Sequence, residues 1–278
     1  MQTKESKKMD KVWLISLVTL KEGIRNRALQ GILIIALFSC VVYLTVIPMF
    51  AFDTGKVAVD LGFASMTLAG LAIVIFLGIG LLTQDIHQRT VCMILSRPVS
   101  RTQYVIGKFL GLSGIVLIGV LIITCMGLLS SWAGITYVSD MTLPRNFSWH
   151  ILGVGVLFNF LSLLIIMAIA FLFTVLTTNA YLSMLFTFGV YIIGQSLETI
   201  VKVITAGEFV RVGALYTQIL TALTWIFPNL RAFDLKVNIA YGLPLSLSYT
   251  SWTAVYGIFY IAIVIFLTAT VFRYQEIK

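Results

Sequence analysis

Six apolar runs, each long enough to cross a bilayer, leave this chain few ways to fold. They cover roughly 29–52, 61–84, 104–136, 151–177, 180–204 and 250–272. About 20 predominantly apolar residues match the hydrocarbon thickness of a membrane, where every backbone N–H and C=O must find its partner inside the segment. Helices meet that demand locally. The expected fold class is therefore an all-α membrane protein with six transmembrane helices, built as one domain over residues 1–278. Composition agrees, because 59% hydrophobic and 11% charged residues cannot supply the polar surface of a water-soluble globule.

Runs four and five are separated only by Thr177, Thr178 and Asn179, so their helices form a tight hairpin. The third run is longer than a bilayer needs, and its first turns are expected to stand in the interface or beyond it. Six spans put both termini on one side. With that side inside, 13 of the 19 Lys and Arg fall in inner segments, as the positive-inside rule requires. The formal net charge of +8 is then a topology signal, not the footprint of a nucleic acid. Cys40, Cys92 and Cys125 lack metal-ligand spacing, and His150 has no Cys or His near it. Trp132, Trp149, Trp225 and Trp252 lie near run ends and fit an interfacial belt.

Three segments outside the runs have a pattern of their own. Residues 1–28 form a charged tail whose short apolar patch, Val12 to Leu20, is neither a signal peptide nor a span. Trp13, Leu17, Leu20 and Ile24 recur opposite Lys11, Lys21, Glu22 and Arg25, the pattern of an amphipathic helix in the inner interface that turns into the first run near Asn26. Residues 205–249 form the longest connection. Its uncharged stretch Val212–Phe227 is short for a span, so a re-entrant or interfacial helix ending at Pro228 is expected.

The third segment, 85–103, has more internal order than a connector requires. Asp85 to Leu95 suits a short helix, which Pro98 stops while biasing Arg97 away from helical angles. Ser100 with Gln103 fits a capping box, and Val99 with Tyr104 a hydrophobic staple, so a new helix begins at once and runs into the third span. Arg97 and Arg101 flank this corner. On residues alone they suit lipid phosphates, acidic groups of a protein partner, or a small anion.

Several functions are disfavoured by absent motifs. The chain has no G-x-x-x-x-G-K-[ST] phosphate loop, and neither HExxH nor G-x-S-x-G, which argues against ATP binding in this chain and against a polytopic membrane enzyme. Ionisable groups near the middle of the runs are almost lacking, which argues against an ion-coupled carrier.

The run Asp85, Arg89, Thr90, then "LSRPVSR", then Gly107 and Lys108, resembles the first cytoplasmic loop of the type-2 ABC transporter permeases. The similarity extends along the chain through "KEGIRNRAL", "IFPNLRAFD" and "FRYQEIK". Arg89 departs from the pattern, standing where the family often has glycine. The resemblance implies the permease subunit of an ATP-driven transporter, with export the expected direction. Its partners would be the bilayer, a second permease in a homodimer, and two copies of a cytoplasmic ATPase that holds the ATP and Mg; no cofactor is expected in this chain. It further implies a bacterial cytoplasmic membrane with both termini inside, and leans toward the subgroup linked to copper-enzyme maturation. The segment 85–103 would carry the coupling helix, with Asp85, His87, Arg89, Thr90 and Leu95 on the helix and Ser96, Arg97, Pro98, Ser100 and Arg101 at its braced corner.

The fifth run carries Ser183, Thr187, Tyr191, Gln195 and Glu198 within a wedge of roughly 120°. The first four are candidates for the wall of a substrate pathway at the interface between two permeases, the alternative being interhelical hydrogen bonding within the bundle. Glu198 and Lys202 are spaced for a local ion pair. Gly107, Gly111 and Gly114 are spaced to bring the third helix close to a neighbour.

Overall fold

A computed structural model of the protein describes residues 2–46, 54–87, 100–137, 148–206, 222–224 and 226–274. Among these the regular structure is helical: α1 (Gln2–Arg25), α2 (Arg27–Val46), α3 (Thr54–Ala72), α4 (Ile79–His87), α5 (Arg101–Tyr137), α6 (Trp149–Thr177), α7 (Ala180–Ala206), α8 (Lys236–Tyr241) and α9 (Leu247–Tyr274). A π-helical stretch, Ile73–Gly78, joins α3 to α4 in one rod, and a 3-10 turn, Arg231–Phe233, precedes α8.

Five stretches are long and apolar enough to cross a membrane among the described residues: Gly55–Ile86, Arg101–Leu129, Trp149–Thr177, Ala180–Val203 and Leu247–Tyr274. The first apolar run appears as α2, with residues 47–53 outside the described residues. The second run begins seven residues before its expected start at 61, taking Lys56 and Asp60 into α3. Sequence alone leaves Lys56 in a loop. Its ammonium instead lies 4.6 Å from the centre of the Tyr241 ring, a contact that offsets the charge and exists only once α8 has docked.

α6 is the central helix. Ile165 to Phe171 are all buried, consecutive around the full circumference, because α3, α5, α7 and α9 surround it. The expected tight hairpin follows. Thr178 takes a left-handed φ of 53°, and Asn179 Oδ1 accepts the Tyr181 N–H at 2.9 Å, starting α7 within two residues of the end of α6.

The N-terminal helix docks on α5 along the glycine seam. A Cβ added at Gly107 would lie 2.8 Å from Ile15 Cβ, and one at Gly111 2.6 Å from the Ser16 carbonyl oxygen. The facing side of α1 is correspondingly small, with Ser16, Thr19 and Gly23 buried. Trp13, Leu17 and Ile24 of the expected apolar stripe stay exposed, so α1 uses two faces: small residues pack against α5, and large ones remain on the surface. The helix ends at Asn26, where the Asn26 N–H bonds the Gly23 carbonyl at 3.1 Å and the chain enters α2.

At the opposite end of the bundle the segment after Phe227 is held by tyrosines of α9. Tyr256 Oη accepts the Asn229 N–H at 3.1 Å, while Tyr249 and Tyr260 donate to the carbonyls of Ala232 at 3.1 Å and Ile226 at 3.3 Å. The Leu230 N–H reaches the Gly194 carbonyl of α7 at 3.2 Å. Most of the expected re-entrant helix, residues 212–221 and 225, lies outside the described residues.

Gly111→Leu drives a side chain into the α1 backbone, and no rotamer avoids Ser16. The expected loss is about 1–3 kcal/mol of stability from overpacking. A lower melting temperature together with new proteolysis at Lys11 and Lys21 checks it; unchanged protection of α1 would remove the seam.

Candidate functional site

The first two turns of α5 place Arg101, Tyr104 and Lys108 on one face, since offsets of three and seven residues return to nearly the same angle. That face meets the ends of three other helices. Lys108 Nζ lies 2.7 Å from Asp85 Oδ2 of α4 and 3.4 Å from Glu22 Oε2 of α1. Tyr104 donates its hydroxyl to the same Asp85 oxygen at 2.5 Å. Lys108 is 3% exposed and Asp85 7%, so the pair is removed from water, whereas the Glu22 side chain remains 43% exposed and keeps its excess charge solvated.

Arg101 turns toward the last helix. Its Nη1 donates to the carbonyls of Phe272 at 2.8 Å and Arg273 at 3.1 Å. These oxygens belong to the last turn of α9, which has no intrahelical donors left for them. The guanidinium also lies over the Phe272 ring at 5.8 Å, and Tyr104 stacks on that ring at 6.0 Å between centroids. A planar, permanently charged fork suits both contacts at once.

Ser100 completes the start of α5 as the capping box predicts: the Gln103 N–H donates to Ser100 Oγ at 3.3 Å, and the Ser100 N–H to Gln103 Oε1 at 3.0 Å. Asp85 does not begin a separate helix. It sits within α4, which continues the second span to His87. Arg89, Thr90, Leu95, Ser96, Arg97 and Pro98 lie outside the described residues, as does Val99 of the expected staple. Asp85 and Arg101 thus face into the subunit, where they bind its own helices. The sequence places Glu22 on the polar face of the N-terminal helix, Tyr104 in a hydrophobic staple and Lys108 in the Gly-Lys pair of the motif, but nothing in it joins the three to one another or to Phe272. Its one available signal was a lysine followed by an unbroken apolar run, within reach of an aspartate at the end of the preceding span.

The polar row of α7 divides. Ser183 and Thr187 are fully buried: the Ser183 hydroxyl lies 2.8 Å from Thr177 Oγ1, and Thr187 donates to the Ser183 carbonyl at 2.7 Å. Both are closed into the hairpin. Tyr191 and Gln195 instead line a cavity of about 260 Å³ shared with α3, α6 and the segment after Phe227. Glu198 and Lys202 form the expected i,i+4 ion pair. Among the described residues no three His, Cys, Asp or Glu side chains come together as metal ligands would.

Five helices among the described residues, each long and apolar enough to cross a membrane, describe a multi-pass membrane protein. A family model described as ABC-2 family transporter protein matches residues 13–277, and the chain belongs to that family. This is the family of type-2 ABC permeases, the membrane subunits of ABC transporters, which implies a bilayer around the chain and an ATPase as its partner. Among curated proteins none matches this chain.

Removing one member of the buried pair leaves the other charge stranded. Lys108→Met is expected to destabilise by about 3–5 kcal/mol, and the double change with Asp85→Leu by much less than the sum of the two single changes. Denaturant titrations of the four proteins in mixed micelles measure the coupling. Additive losses would mean that Lys108 and Asp85 do not depend on each other.

Proposed function

We propose that this chain is the permease of an ATP-driven exporter in a bacterial cytoplasmic membrane, with six spans, both termini cytoplasmic, and a second copy of itself as partner. It hydrolyses nothing. Two copies of a cytoplasmic ATPase bind the ATP and Mg, and one dock on each subunit is the segment 85–103. The whole chain, 1–278, acts as one domain in which residues 1–28 lie at the inner interface and 205–249 form the outer segment.

The observation that carries this is the junction directly behind the corner. A rigid start to α5 at Ser100 is followed one residue later by the Arg101 clamp on α9, and then by Lys108 tied to Asp85 of α4 and Glu22 of α1. Force applied to the corner is thereby delivered to four helices together, since a hydrogen-bonded, desolvated cluster resists being pulled apart. Within the segment, Arg89, Thr90, Leu95, Ser96, Arg97 and Pro98 act as the surface that meets the ATPase, with His87 at its border, while Asp85, Ser100 and Arg101 anchor that surface to the bundle. Tyr191 and Gln195 contact the substrate, and Ser183 and Thr187 stiffen the inner hairpin below them.

Copurification and a reporter separate these roles. Leu95→Asp is expected to weaken association with the ATPase about tenfold by burying a charge in the dock. Arg101→Ala is expected to leave the ATPase bound and to abolish the ATP-driven response of a fluorophore attached at position 270 near the end of α9. Failure of any ATPase to copurify with the unmodified chain would sink the permease reading, and a full response in Arg101→Ala would sink the clamp.

A further inference from the structure

Neutral polar side chains from three spans converge on one space. Thr67 of α3, Asn159 and Ser162 of α6, and Tyr191 and Gln195 of α7 line the cavity of about 260 Å³, with Phe63 and Phe233 among its apolar walls. Asn159 lies ten residues into α6 and Gln195 eleven residues before the end of α7. At 1.5 Å per residue that is about 15 Å from those helix ends.

The hydrogen bonding is incomplete there. Asn159 Nδ2 donates to Thr67 Oγ1 at 2.6 Å, and Thr67 donates in turn to the Phe63 carbonyl at 2.8 Å. Asn159 Oδ1 is buried and has no partner. Side chains that serve only to join helices satisfy one another and close the gap between them. Here an acceptor is left over on a residue that lines an open volume. The two charged residues on the wall, Asp234 and Lys236, already pair with each other at 3.4 Å and are partly exposed.

We propose that this cavity is a binding site, contained within a single subunit, for an uncharged molecule carrying a hydrogen-bond donor on an apolar body. The donor meets Asn159 Oδ1 and the aromatic walls take the body. A net charge finds no free counter-ion at that depth, so ions are rejected. The site names a substrate class for the transport reading above and rests on that reading, but its occupancy needs no ATP.

Three photoreactive probes that share a benzophenone body and differ in charge test it on the full chain, purified in its assembled state and held in lipid nanodiscs without ATP: 4-(hydroxymethyl)benzophenone, benzophenone-4-carboxylate and 4-(aminomethyl)benzophenone as its ammonium ion. The alcohol is expected to label peptides of α3, α6 and α7 around the cavity saturably, and about tenfold more than either ion. Asn159→Leu is expected to lower that labelling about tenfold, the worth of one buried hydrogen bond, and Ser162→Phe to block it by filling the space. The charge series on the unmodified protein needs no variant to fold. Equal labelling by all three probes, labelling confined to other helices, or no saturable labelling would overturn the site. Saturable alcohol labelling in a protein whose α9 reporter ignores ATP would uphold the site while telling against transport.

Discussion

A lysine ammonium at 3% exposure inside an apolar bundle is tolerable only if its charge is met at close range, and Lys108 meets that condition with Asp85 at 2.7 Å and Glu22 at 3.4 Å. The partners come from two other helices, so neutralising one side chain requires α1, α4 and α5 to be in register. Tyr104 adds a second donor to the same Asp85 oxygen and carries the cluster to Phe272 of α9. The glycine seam makes this geometry reachable, since only helices without intervening side chains approach closely enough for Glu22 to arrive at Lys108.

The two ends of the bundle are built on different chemistry. Around Lys108 the ties are ionic and desolvated, and they join helix termini. Around Tyr256 they are neutral hydrogen bonds from aromatic side chains to the backbone of the segment after Phe227, reinforced by ring contacts with Phe233 at 6.2 Å and Tyr260 at 6.1 Å. Between them the second span contains the π-helical stretch Ile73–Gly78, five of whose six residues are buried. Ile73 there fills the notch left by Gly119 of α5, where a Cβ would come within 2.6 Å of its Cδ1. Widened turns of this kind mark functional positions in other helices, and this one lies on the rod that connects Asp85 to the cavity-lining Thr67.

Much of the architecture was legible because membrane insertion writes itself into composition. Five of the apolar runs appear among the described residues as helices long enough to cross a membrane, and the hairpin at Thr178, the break at Asn26, the Ser100–Gln103 box and the Glu198–Lys202 pair, which depend on residues within four positions of each other, are found in the structure. The site was legible in part. Asp85 and Arg101 stand out in the motif, but their direction does not, because a side chain near a helix end can face outward or back onto the bundle with equal local propriety. The polar row of α7 has one period and two fates: Ser183 and Thr187 close onto Thr177 and the helix backbone, while Tyr191 and Gln195 open onto a cavity whose other wall is supplied by Asn159 and Thr67.

Sequence by itself determined that this chain is a bundle of membrane helices, where most of those helices begin and end, and that a capping box at Ser100 opens the third long one. Hydrophobic run length and local capping fix those features, and both are short-range along the chain. Only the tertiary structure decided that Arg101 caps a helix 171 residues away, that Lys108 is held between α1 and α4, that Lys56 belongs to a helix, and that the polar groups of α3, α6 and α7 face one another. These depend on which helices become neighbours. That choice is made by the fit of glycine notches to side chains and by the need to pair each buried charge; a single span shows the notch, as at Gly107, Gly111 and Gly114, but not which helix fills it.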